Sequence, residues 1–344
     1  MAKQKLLLRA DGNNLIGFGH VYRLLALADL LTKNYYLVFA LYRSSDFIEV
    51  EIRKYCDEVL ILPGKLPFKT ADEITASDEI DFDLNDLLSG NEIVVLDGYY
   101  FGTRYQQAIK RKGCKLVCID DQAVNFFYAD AVINHAPGID ENIYKTAPYT
   151  KLFTGLDYAI LRQPFFMPFP QTCKITSDVF ISLGGSDYFQ ITINLVRFLK
   201  HIDQFRTLHI MCSSSFPEEM MRELLLISEQ SDHIKLYQNL TATEIVVLMD
   251  RCTYAFVSAS TVLLEAYARG LTCFTGFYVN NQLFIYNGFL NENRAAGLGN
   301  LKELKAGIIQ QALSKIGLTQ TSKKVMLSKR NLQHIFQQFN MGSN

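Results

Sequence analysis

The sequence predicts an α/β protein built from two doubly wound, Rossmann-like halves. Short apolar runs alternate with stretches of helical periodicity, and the alternation runs through the whole chain twice. Polar residues gather at the carboxyl ends of the apolar runs, where open α/β sheets bind ligands. A Pro-rich break, Gln163 to Pro170, interrupts the alternation near the middle and holds three of the eight prolines. The chain has 344 residues, enough for two domains. We expect a first domain over 1–163, a hinge over 164–177, a second domain over 178–321 and a terminal helix and tail over 322–344. Two such halves joined by a hinge suggest an enzyme that binds its ligand in a cleft.

In the first half, Leu6-Leu7-Leu8 opens a strand that leads to Arg9-Ala10-Asp11. Leu24, Leu25, Leu27, Ala28 and Leu31 then recur at helical spacing. Between them lies Gly17-Phe18-Gly19-His20-Val21-Tyr22-Arg23, so His20 is expected at a helix start beside the carboxyl end of the first strand. Glycines there allow a substrate close to the backbone, and a histidine can exchange a proton near neutral pH. Strands follow at Leu37 to Leu41, Val59 to Leu62, Glu92 to Asp97, Lys115 to Asp121 and Ala131 to Asn134. Asp46 to Cys56 and Gly98 to Lys112 read as helices, the latter ended by Gly113, and Asp81 to Leu88 as a short helix.

In the second half, strands are expected at Asp178 to Leu183, Leu208 to Cys212, Ile234 to Tyr237, Tyr254 to Val257 and, last, Thr272 to Thr275. Helices separate them. Gly184-Gly185-Ser186-Asp187 and Ser258-Ala259-Ser260-Thr261 are small-residue loops between a strand and a helix. Gly185, Ser186, Ser260 and Thr261 can hold a diphosphate through backbone N–H groups and hydroxyls. Glu265 lies one turn beyond Thr261 on the same helix face, where a carboxylate can accept both hydroxyls of a ribose. No GxxxxGK[ST] stretch is present, and the glycines of the first half do not form GxGxxG.

Composition narrows the classes. With 34 Lys+Arg against 35 Asp+Glu, the chain lacks the basic excess of a nucleic-acid binder. Seven scattered cysteines, none spaced as CxxC, read as buried reduced thiols rather than disulfides or a zinc site. No stretch has the length of a signal peptide or a membrane span, so the expected setting is the cytoplasm.

Arg9-Ala10-Asp11 followed by Ile16-Gly17-Phe18-Gly19-His20-Val21-Tyr22-Arg23 resembles the start of the UDP-2,4-diacetamido-2,4,6-trideoxy-β-L-altropyranose hydrolases of pseudaminic acid biosynthesis. The resemblance continues through Val95 to Tyr100, Ile119-Asp120-Asp121, Gly155 to Arg162, Gly184 to Asp187, Ser258 to Thr261 with Glu265, and Asn281-Gln282. It covers most of residues 4–285 in order. The stretch Leu283 to Gly288 is more aromatic than the family pattern, and the tail beyond Leu301 runs longer.

The resemblance implies a GT-B fold, like that of the lipid II-forming N-acetylglucosaminyltransferase. It implies a metal-independent hydrolase with no cofactor, His20 as the catalytic residue and a UDP-sugar as substrate. UDP would sit on the second domain, with Ser260 and Thr261 by the phosphates and Glu265 by the ribose. Main-chain groups of Leu236 or Tyr237 would meet the uracil. The sugar would meet Arg9, Asp11, Gly17, Gly19, Asp97, Tyr99, Tyr100, Asn134, Asn281 and Gln282. On this reading His20 activates water at C1, UDP leaves with inversion, and Asp11 orients His20. A GT-B glycosyltransferase, a UDP-N-acetylglucosamine 2-epimerase and a non-catalytic sugar-nucleotide binder are the competing readings.

Overall fold

The computed structural model describes residues 3–13, 16–43, 45–66, 69, 73–75, 78–168, 176–184, 190–213, 216–316 and 327–340. The chain divides into two compact units, Met1–Gln163 with Ser328–Asn344, and Pro164–Leu327.

The first unit runs β1 (Gln4–Ala10), α1 (Gly19–Leu31), β2 (Tyr35–Tyr42), α2 (Asp46–Ile52), β3 (Glu58–Leu62), β4 (Ile93–Asp97), α3 (Thr103–Arg111), β5 (Lys115–Ile119), β6 (Phe126–Phe127), β7 (Ala131–Asn134), β8 (Lys145–Thr146) and β9 (Lys151–Thr154). Seven of these strands form a parallel sheet in the order β3-β2-β1-β4-β5-β7-β9. The connections from β1 pass first to one side, through β2 and β3, then return to place β4 on the other. The reversal falls between β1 and β4, and there the carboxyl ends of the strands leave an opening for ligand. Leu6, Leu7 and Leu8 are wholly buried, as are Ile93, Val94 and Val95. A parallel sheet is covered on both faces, so its strands are apolar throughout. The chain's last helix, Arg330–Asn340, packs on this unit: Phe336 meets Tyr35 edge-on, and Gln333 donates to the Leu30 carbonyl.

The second unit runs β10 (Val179–Ser182), α4 (Ile191–Leu199), β11 (Leu208–Cys212), α5 (Glu218–Glu229), β12 (Ile234–Gln238), α6 (Ala242–Met249), β13 (Tyr254–Ser258), α7 (Thr261–Ala268), β14 (Thr272–Phe277), α8 (Leu283–Asn291), β15 (Ala296–Asn300) and α9 (Ala306–Ile316). Its parallel sheet has the order β12-β11-β10-β13-β14-β15, so its reversal falls between β10 and β13. A capping box starts α6, with the Thr241 side chain accepting from Glu244 N and Glu244 answering at Thr241 N.

The doubly wound fold class holds, and two local expectations are corrected. Thr272 to Thr275 is not the last strand, because β15 follows with the sequence Ala-Gly-Leu-Gly-Asn. Its glycines serve close packing: a Cβ on Gly297 would meet Leu290 Cδ2 at 2.6 Å and Tyr286 Oη at 2.7 Å. Asp81 to Leu88 forms a single turn rather than a helix. The Asp83 carboxylate is bound by Arg9 and by the Tyr105 hydroxyl, which ties the segment to β1 and α3 instead of leaving it to cap a helix. Among the described residues no helix is long and apolar enough to cross a membrane.

Candidate active site

Strand β1 ends at the reversal point, and the loop after it delivers His20 in the first turn of α1. Gly17 takes φ +74°, a left-handed conformation that glycine adopts without a Cβ clash. The helix starts after Phe18 with no side-chain cap and no acidic residue in its first turn.

Ala10 pairs in register with Asp97, so the carboxylate at the end of β4 lies beside the start of α1. The His20 Nδ1 lies 2.7 Å from Asp97 Oδ1. Arg23, one turn along α1, donates from Nε to Asp97 Oδ2 at 2.7 Å and from NH2 to Oδ1 at 2.6 Å. The same guanidinium donates to both oxygens of Asp121, at 2.7 and 2.9 Å. Asp97 is fully buried. Burial alone would raise its pKa, but the charges and hydrogen bonds of Arg23 and His20 outweigh that and bring it down to about 2. Burial also acts upward on Asp121, and Arg23 again prevails and lowers it.

Arg23 Nη2 also lies 3.3 Å from Nδ1, but the Asp97 contact is much the shorter, and an ionised carboxylate only accepts, so the proton of a neutral His20 ring is assigned to Nδ1. That leaves the lone pair on Nε2, which among the described residues has no hydrogen-bonding partner. His20 and Tyr99 border a recess also lined by Asp120, Gln122 and Asn125. Tyr99 packs edge-on against the imidazole at 4.6 Å between ring centres. A histidine that borders a recess with its Nδ1 on a buried acid can serve as a general base.

Asp120 borders the same recess. Its Oδ2 accepts from Ala123 N at 2.8 Å, Gln122 N at 3.1 Å and the Tyr144 hydroxyl at 2.9 Å. Burial dominates and raises its pKa to about 6 despite those hydrogen bonds. His135 is buried behind the site, and among the described residues neither ring nitrogen has a hydrogen bond. Burial, then Arg23, pushes it down to about 4, so it is neutral at pH 7.

Several of the residues expected at the sugar are placed elsewhere. Asp11 does not orient His20. Its Oδ2 takes a 2.5 Å hydrogen bond from Arg9, and its Oδ1 accepts from Tyr42 N at 2.7 Å. Arg9 is wholly buried, bridges to Asp83 at 3.0 Å and lies over the Tyr42 and Phe101 rings. Asp97 gives both oxygens to His20 and Arg23, so it supports the base instead of lining the pocket. Asn134 is buried with its amide committed to Tyr144 and to Ala136 N. The Tyr100 hydroxyl is buried, without a partner among the described residues. Tyr99 lines the recess, and Gly19 is exposed, with a Cβ built on it meeting nothing within 4 Å. Arg23 and Asp121 enter the site although neither was assigned to it from sequence. The i, i+3 spacing of His20 and Arg23 on one helix was the available signal.

In the second unit the two small-residue loops begin on adjacent strands, β10 and β13, at that sheet's reversal point. The Leu183 carbonyl accepts from Ser258 Oγ at 3.1 Å and from Tyr278 Oη at 2.9 Å, which ties the loop starts together. Gly184 has φ +98°. Gly185 and Ser186 lie outside the described residues. Ser260 precedes α7 without capping it, its Oγ lying 3.1 Å from Ser258 Oγ, and Thr261 opens the helix. Glu265 is buried on α7. Leu236 and Tyr237 lie on edge strand β12. The Tyr237 hydroxyl lies 2.9 Å from His209 Nδ1. Asn281 and Gln282 form a 3₁₀ turn after β14, with Gln282 accepting from Tyr278 N.

No protein-family model matches the chain. It is 23% identical over 283 residues to the UDP-2,4-diacetamido-2,4,6-trideoxy-beta-L-altropyranose hydrolase of Campylobacter jejuni, covering 81% of this chain and 93% of that protein. It is 24% identical over 298 residues to the spore coat polysaccharide biosynthesis protein SpsG of Bacillus subtilis, covering 84% and 82%. An uncharacterized Methanocaldococcus jannaschii protein, MJ1062, is 25% identical over 309 residues, which span 87% of this chain and 61% of that protein. The structure of Acinetobacter baumannii MurG superposes with a TM-score of 0.62 at 11% identity, covering 98% of this chain and 99% of that one. A glycosyltransferase of kitacinnamycin gives 0.64 at 9% identity, with 98% and 100% covered. The chain has the GT-B fold and is a distant homologue of the altropyranose hydrolase and of SpsG.

Proposed function

We propose that the protein hydrolyses a UDP-activated diacetamido-trideoxy sugar at C1, releasing UDP and the free sugar for pseudaminic-type acid synthesis. The observation that carries this reading is the His20 Nδ1 to Asp97 Oδ1 contact of 2.7 Å on a ring that borders the recess, which leaves Nε2 as the nitrogen to accept a proton. Nε2 takes a proton from water as the water oxygen bonds to C1. The C1–O bond to UDP breaks, and its electron pair leaves on the β-phosphate oxygen. Attack opposite the leaving group inverts C1. Asp97 stays ionised and stabilises the imidazolium that forms. General-base help of this kind contributes about 10²–10⁴-fold.

UDP is a good leaving group and needs charge stabilisation more than a proton. The start of α7 at Ser260 and Thr261, with Gly185 and Ser186, supplies it in this reading. Glu265 takes the ribose hydroxyls, and the main chain of Leu236 or Tyr237 the uracil. Among the described residues six cysteines are buried free thiols, which fits a reducing, cytoplasmic setting.

The test is a panel of UDP-sugars incubated with the protein and no acceptor. Free UDP together with an inverted reducing sugar by NMR supports hydrolysis. UDP release that waits on an added acceptor supports a glycosyltransferase instead. His20→Asn with undiminished turnover and an intact fold removes His20 from the mechanism.

A further inference from the structure

The segment that follows β5 borders the recess at five positions: Asp120, Asp121, Gln122, Val124 and Asn125, of which Asp121 is already paired with Arg23. Its shape is fixed from inside. Asp120 Oδ2 gathers the N–H groups of Gln122 and Ala123, and Ala123 sits at φ +55°, a left-handed conformation that alanine resists. Tyr144 holds the same carboxylate oxygen from the other side at 2.9 Å. Backbone strain of this kind persists where surrounding contacts over-determine it.

That pinning presents three side chains that the fold does not use. Among the described residues the amides of Gln122 and Asn125 have no hydrogen-bonding partner, although both are only partly exposed and both line the recess with His20. Val124 is 62% exposed between them. Each primary amide carries a donor and an acceptor, the complement of an N-acyl group, which also has one N–H and one C=O. An exposed valine beside them suits a methyl group.

We propose that residues 120–125 select the sugar, with Gln122 and Asn125 hydrogen-bonding its N-acyl substituents and Asp120 as the positioning residue that shapes the segment. This rests on the hydrolase reading and names the part of the site that would recognise the substrate.

The experiment measures binding without turnover, in the His20→Asn background, by calorimetry. Two ligands are compared: UDP and the UDP-diacetamido-trideoxy sugar. Gln122→Ala and Asn125→Ala are each expected to weaken the UDP-sugar about 3–10-fold, the worth of one neutral hydrogen bond, and to leave UDP unchanged. Asp120→Ala, which releases the segment, is expected to weaken the UDP-sugar at least as much. Circular dichroism and a cooperative thermal transition check that each variant is folded, and UDP binding reports the second unit alone. Unchanged UDP-sugar affinity in both amide variants overturns the proposal while leaving the hydrolase reading intact. A wild-type protein that releases UDP from no acylated UDP-sugar defeats the hydrolase reading, and this assignment with it.

Discussion

His20 Nδ1 and Asp97 Oδ1 lie 2.7 Å apart although 77 residues separate them in sequence. The contact joins the first turn of a helix to the end of the neighbouring strand, and it fixes which ring nitrogen is free. Asp97→Asn keeps the size but lets the amide present either a donor or an acceptor to Nδ1, so the tautomer is no longer fixed. We expect UDP release to fall about 10²–10⁴-fold, as for His20→Asn, with the two losses not additive. Single-turnover assays of both variants and of the double variant check this. Additive losses would mean that Asp97 acts independently of His20.

Arg23 binds the buried carboxylate of Asp97 and the partly buried one of Asp121 with one planar fork. Removing a partner from such a buried set leaves uncompensated charge, at a cost of about 3–5 kcal/mol. Arg23→Met is expected to lose that much stability in urea unfolding. Arg23→Lys retains the charge and loses the fork, so its stability should fall between Arg23→Met and the wild type. Equal stability of all three would mean that the carboxylates find other partners.

The placement of His20 is legible in the sequence, and the reason is local. His20 follows a strand and opens a helix, and both features lie within a dozen residues of it. The apolar strands were legible because a parallel sheet buries both faces of each strand. Asp97 was recognised as polar and rim-placed, but its role was given to Asp11, which is nearer in sequence. Strand pairing decided otherwise. β4 lies next to β1, Asp97 is level with Ala10, and Asp11 is held by Arg9 and Tyr42. Strand β15 was missed because close packing made it glycine-rich, which removes the apolar signal. Asp120 and Asp121 stand out in sequence at a strand end, but Gln122 and Asn125 carry no motif. Only the recess brings them near His20.

Gly19 separates folding from function. A Cβ there meets no atom within 4 Å, and its φ is not in the left-handed region. Gly19→Ala should therefore leave the melting temperature unchanged or raise it, since alanine is the better helix former. If the sugar approaches the backbone beside His20, the added methyl raises KM for the UDP-sugar. The prediction is an unchanged or higher melting temperature with a raised KM. An unaltered KM would place the sugar away from the start of α1.

Asp120 gives the fold a pH dependence whose sign can be worked out. Its folded-state pKa is about 6, raised by burial from 3.8. Between those values the folded protein holds a proton that the unfolded chain has released. Its contribution to stability is thus complete below about pH 4 and is lost as pH rises through 6. Asp120→Asn keeps an oxygen for the Gln122 and Ala123 N–H groups and has nothing to titrate. Relative to the wild type, the variant should match at pH 4 and gain at pH 8, by up to about 3 kcal/mol. Urea unfolding of both proteins from pH 4.5 to 8 measures the difference. The two stability curves should diverge upward through pH 6. Parallel curves would show that Asp120 is already ionised at pH 5, held so by its three hydrogen bonds.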